Sequence, residues 1–144
     1  MTPYSKIYDS FLSKILDDEW GNWTKEEVEA QLEKYLDGAI SEFKFPRASL
    51  KKTEDGLEGD LSLEEIEILA LYMKCEWLEA SIYVWENIKP LYEERDFSQA
   101  NMLAKLIDSL EYTSKRAEKK EAKYYRSRDK KPFNFKQLAG GGNG

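Results

Sequence analysis

The sequence predicts an all-α protein, a small helical bundle around one long central helix with an extended C-terminal arm. Three observations carry this. Apolar residues recur at three- and four-residue spacing through four separate stretches. Sharp start signals precede two of them. The last 21 residues then change to a basic, aromatic and finally glycine-rich composition. The helices fall near residues 4–17, 25–43, 63–88 and 98–126, which gives a helical body over residues 1–123 and an arm over residues 124–144.

The central helix is the best specified. Ser62 stands three residues before Glu65, the spacing of a capping box, with Leu61 and Ile66 placed as a hydrophobic staple. Ile66, Leu69, Ala70, Met73, Trp77, Ala80, Val84 and Ile88 form one stripe. Ile68, Leu71, Tyr72, Cys75, Leu78, Ile82 and Trp85 form a second beside it. Apolar residues over most of the circumference predict a helix enclosed by neighbours. Glu65, Glu67, Lys74, Glu76 and Glu79 interrupt every window of about 20 residues that a bilayer would need, so no membrane association is expected.

Ahead of it, Thr2 and Pro3 are placed to cap a short helix, in which Tyr4, Ile7, Tyr8, Phe11, Leu12 and Ile15 share a face. Trp20 and Trp23 flank a loop and are candidate interface anchors beside their ordinary role in packing. Thr24 with Glu27 predicts a second capping box, and Pro46 ends the helix that follows. Residues 45–60 are expected as an exposed loop, with a small hairpin through Asp55-Gly56 as the alternative. Pro90 stops or kinks the central helix near Ile88. Met102, Leu103, Leu106, Ile107 and Leu110 then line a last helix. Beyond Leu110 that apolar face fades, and the helix is expected to run on solvated, braced by pairs such as Glu111 with Lys115.

The charge is unevenly placed. Residues 1–110 hold 12 Lys/Arg and 24 Asp/Glu, a net −12; residues 111–144 hold 10 Lys/Arg and 4 Asp/Glu, a net +6. The acidic body should repel DNA, whereas the basic end suits nucleic acid or an acidic protein. The chain has no histidine, which removes the commonest general base and a main ligand of transition metals. No glycine-rich phosphate loop, paired-cysteine motif or nucleophile elbow occurs. The reading is therefore non-enzymatic, with no catalytic residue, cofactor or metal; carboxylate-only hydrolysis and calcium binding are the open alternatives, although no Asp-x-Asp-x-Asp-Gly loop occurs. The single Cys75 suits a reducing compartment and reads as a buried core thiol. Residues 1–14 lack the unbroken apolar core of a signal peptide.

The arm is the unusual feature, because tails that stay solvated are poor in aromatics. Tyr124, Tyr125, Arg126 and Arg128 open it. Residues 131–136 then alternate polar and aromatic with period two, the pattern of an extended strand. Pro132, lacking an N–H, fits the start of that strand. Phe133 and Phe135 share one side, with Leu138 behind. They either pack back on the body or, the reading preferred here, dock on another chain by strand addition. Candidate partner-binding residues are thus Tyr124, Tyr125, Arg126, Arg128, Pro132, Phe133, Phe135 and Leu138.

A short first helix, a second ending in FKFP (43–46), a long helix containing YMKCEW (72–77), then ERDFSQAN (94–101) and a charged helix with an aromatic tail resemble, over nearly the whole chain, the head–tail connector or adaptor proteins of tailed bacteriophages. The resemblance implies a structural virion protein of the phage neck, assembled in the host cytoplasm as a homo-oligomeric ring of about twelve copies. Such a ring lies beneath the portal and joins head to tail. It implies that the arm docks on the portal protein, that the next neck or tail protein binds below, and that DNA passes without sequence-specific binding. The alternative is a helical nucleic-acid-binding protein, small-terminase-like or regulatory, using the basic arm. The acidic body and the lack of a helix-turn-helix with a basic second helix weigh against it.

Overall fold

The computed structural model describes residues 1–15, 25–88 and 96–129. Within them lie a short strand β1 (Thr2–Pro3), helices α1 (Tyr4–Ile15) and α2 (Lys25–Glu42), a second strand β2 (Gly56–Leu57), and helices α3 (Leu63–Ile88) and α4 (Asp96–Asp129). The all-α class is as the periodicities predict. Helix α3 packs against each of the other three helices and is the centre of the body. The Trp20 and Trp23 anchors, the Thr24 cap, the Pro90 break and the 131–136 strand lie outside the described residues.

Helix α3 starts as its sequence dictates. The Ser62 hydroxyl accepts from the Glu65 N–H at 3.1 Å, and Glu65 Oε1 accepts from the Ser62 N–H at 2.8 Å. These two reciprocal bonds satisfy two N–H groups at the start of the helix. Both apolar stripes are buried from Ile66 to Leu78. Toward its C-terminal end the helix emerges, and Tyr83 and Val84 are exposed. Among the described residues, enclosure of the apolar stripes holds from Ile66 to Leu78.

Helix α1 buries Ile7, Phe11 and Ile15, spaced by four, while Leu32, Tyr35, Leu36 and Ala39 do the same for α2. Phe11 and Tyr35 meet with ring centroids 5.9 Å apart. Gly38 of α2 faces Glu76 of α3, whose carboxyl carbon would stand 2.4 Å from a Cβ built there, so a side chain at 38 would displace that carboxylate. Lys14 ties α1 to α3 through Glu67 at 2.7 Å.

Two local expectations are corrected. Thr2 does not cap α1. It is buried in β1, antiparallel to β2, and its hydroxyl donates to the Gly59 carbonyl at 2.7 Å while accepting from the Leu61 N–H at 2.8 Å. Long-range pairing within the chain offers its hydroxyl two partners, Gly59 and Leu61, where a cap offers one. The 45–60 stretch, in turn, is not a plain exposed loop. Thr53 N–H donates to the Gly56 carbonyl at 2.7 Å, Glu58 N–H to Lys51 at 2.8 Å and Gly59 N–H to Ser49 at 2.9 Å, a small hairpin turning at Glu54-Asp55. Leu57, fully buried, anchors it to the core. Gly56 is required because a Cβ would lie 2.1 Å from the Thr2 carbonyl oxygen.

Helix α4 is also organised differently from the expectation. The predicted apolar face at Met102, Leu103, Leu106 and Leu110 is only half-buried, and Ile107 is exposed. The stretch expected to be solvated is the one that packs: Thr113, Ala117, Glu121 and Tyr124, at i, i+4, i+8 and i+11, are all buried. Glu111 and Lys115 do pair on the exposed side, at 3.1 Å.

Candidate functional site

The chain leaving α2 turns at Pro46 and exposes a run of backbone donors that no helix or sheet can satisfy. Side chains from α3 and α4 take all of them. Lys44 N–H donates to Glu121 Oε2 at 3.3 Å, Phe45 N–H to the Tyr125 hydroxyl at 3.0 Å, Arg47 N–H to the Tyr124 hydroxyl at 2.8 Å and Ala48 N–H to Glu65 Oε2 at 3.1 Å. The phenols pass the interaction on. Tyr124 donates to Glu65 Oε2 at 2.9 Å, while Tyr125 and Tyr72 both donate to Glu121. Tyr124 also meets Phe43 edge-on, and Tyr125 meets Phe45 in the same manner.

These contacts set the ionisation of the network. Burial works to raise the Glu65 pKa. The Ser62 and Ala48 N–H groups and the Tyr124 hydroxyl outweigh it and hold the carboxyl below its ordinary value. The phenols move up, Tyr72 because of burial and then the Glu121 carboxylate that accepts from it, and Tyr124 because of burial, offset in part by the Arg47 N–H.

The expected boundary between body and arm therefore moves. Tyr124 and Tyr125 were placed in an extended partner-binding arm; they are in α4, and Tyr124 is a core residue, 4% exposed. Tyr124, bonded to the Arg47 N–H and to Glu65, is committed to the body, while Tyr125 is half-buried beside it. Arg126 lies on α4 and is exposed, and Arg128 is within the same helix. Pro132, Phe133, Phe135 and Leu138 lie outside the described residues. Helix α4 thus runs through the expected start of the arm to Asp129.

Beside this network a cleft of about 430 Å³ opens where the end of α2 meets α3 and α4. Among the described residues, Glu42, Glu76, Glu79, Glu118 and Glu121 bring five carboxylates to its walls, against the single ammonium of Lys44. Tyr72, Cys75, Leu110, Ala122 and Tyr125 supply a less polar floor. Burial and the neighbouring Glu79 and Glu42 carboxylates raise the Glu76 pKa, with Lys34 opposing. Cys75 is buried as expected, and burial followed by Glu79 and Glu76 pushes its thiol up to about 12, far from a reactive thiolate. Among the described residues no three metal-ligating side chains gather into a metal site, and no helix is long and apolar enough to cross a membrane.

The cleft was not found from the sequence. Its carboxylates come from three helices, and each looks like part of a solvated face when read locally. Comparison with models of protein families, with curated proteins and with solved structures finds no match to this chain.

Proposed function

We propose that this chain is a structural protein of a phage neck, assembling as a ring beneath the portal and joining head to tail. The observation that carries the reading is the division between a net −12 over residues 1–110 and a net +6 over residues 111–144, joined to the layout resembling head–tail adaptors. An acidic body gives a channel along which DNA slides, since each neutralised phosphate would otherwise add grip. The helical body around α3 supplies a stiff subunit for such a ring. Residues 130–138, carrying Pro132, Phe133, Phe135 and Leu138, are the segment that docks on the portal by strand addition, with Arg126 and Arg128 at its root. The ring itself is homo-oligomeric, and the next neck or tail protein binds its lower face. The test is negative-stain imaging of the purified chain alone and mixed with the portal and neck proteins encoded beside it. A ring seated on the portal supports the reading; a monomer that ignores the portal overturns it.

The second reading, a nucleic-acid-binding protein, draws on the exposed Lys115, Arg116, Lys119, Lys123 and Arg126 of α4. Tight binding to a defined sequence at physiological salt would favour it over the neck.

A further inference from the structure

We propose that in the free protein the acidic cleft is the binding site for a basic aromatic segment, and that its occupant is the chain's own residues 130–136. The argument begins with charge. Among the described residues the cleft presents five carboxylates and one ammonium. Residues 130–136 carry Lys130, Lys131 and Lys136 and no acidic residue. Shape agrees with charge. A cleft of about 430 Å³ floored by Tyr72, Leu110 and Tyr125 takes a lysine stem and a phenylalanine ring together, and Phe133 and Phe135 are the rings at hand.

A buried group independently points to a missing ligand. The Cys75 thiol lines the cleft, is 9% exposed, and has no hydrogen-bond partner among the described residues. A peptide carbonyl entering the cleft would give this weak donor an acceptor. Reach selects the chain's own segment. Helix α4 ends at Asp129, one turn past Tyr125, which lines the cleft. From Asp129 back to Glu118 is about 17 Å along the helix at 1.5 Å per residue. Seven extended residues span about 23 Å, enough to reverse and bring Lys136 level with Glu118.

This occupancy belongs to the protein before assembly and does not depend on the neck reading. A docking partner would have to draw the segment out of the cleft. Hydrogen exchange of the full-length free chain, followed by mass spectrometry over a dilution series, tests it. The amides of residues 130–136 should exchange at least about tenfold more slowly than in a synthetic peptide of the same sequence, independently of protein concentration. The double substitution Glu79→Lys with Glu118→Lys, both exposed, should abolish that protection and leave α3 protected as before. Peptide-like exchange in the unaltered chain would overturn the proposal. So would protection that survives the double substitution, or protection that grows with concentration and so belongs to a second copy. Because no portal is present, failure here is distinct from failure of the neck assignment.

Discussion

The Tyr124 hydroxyl donates to Glu65 Oε2 at 2.9 Å, joining the last turns of α4 to the capping box that starts α3. The two residues are 59 positions apart, and their bond makes the end of α4 part of the core. Tyr124→Phe removes the hydroxyl that Arg47 N–H donates to, along with one of the Glu65 donors. It should cost about 1–3 kcal/mol, the usual range for orphaning a buried polar group. Urea titration of both proteins checks this; an unchanged midpoint would show the network to be ornamental.

Trp77→Ala should cost about 3–5 kcal/mol. Trp77 is 6% exposed and lies in the enclosed half of α3. A change below about 1 kcal/mol in the same titration would place it at the periphery.

Two glutamates should move stability with pH in opposite directions. Glu65 has its folded pKa below the ordinary 4.5, so its contribution is complete above that value and is lost as pH falls through the folded pKa. Glu76 has its folded pKa raised, so its charged form opposes folding at neutral pH, and the penalty fades as pH falls toward 4.5. Glu76→Gln should therefore raise the melting temperature at pH 7 and leave it nearly unchanged below about pH 4.5. A fall at pH 7 would mean that the charged carboxylate has a stabilising partner.

Binding to DNA should be weak and lost by physiological salt, since net positive charge is confined to residues 111–144. With about six phosphate contacts, the binding constant should drop roughly a thousandfold between 50 and 200 mM salt. Fluorescence anisotropy with a duplex of arbitrary sequence measures the slope. A flat dependence would contradict this electrostatic account.

Helix α3 was legible because its cap, staple and double apolar stripe all point to one structure, and its observed bounds are the predicted ones. The lower half of α4 was not. Thr113, Ala117, Glu121 and Tyr124 are small, polar or amphipathic, and hydropathy reads them as a solvated face. Their common helical side was the available signal. Thr2 was misread for a related reason: a threonine before a proline suits a cap locally, and only the distant Gly59 and Leu61 backbone groups decide otherwise. The cleft depends on α2, α3 and α4 converging, which no local pattern encodes.

The proposed neck function requires residues 130–138 to fasten a separately folded helical subunit to a portal. The most direct measurement is co-sedimentation with the portal, comparing the full chain with one ending at Asp129. The shortened chain keeps Tyr124, Tyr125 and every described core residue, so its circular dichroism and unfolding midpoint should match the full chain. It should fail to sediment with the portal, and Phe133→Ala combined with Phe135→Ala should fail nearly as completely. Attachment of the shortened chain at full-length affinity would contradict the account.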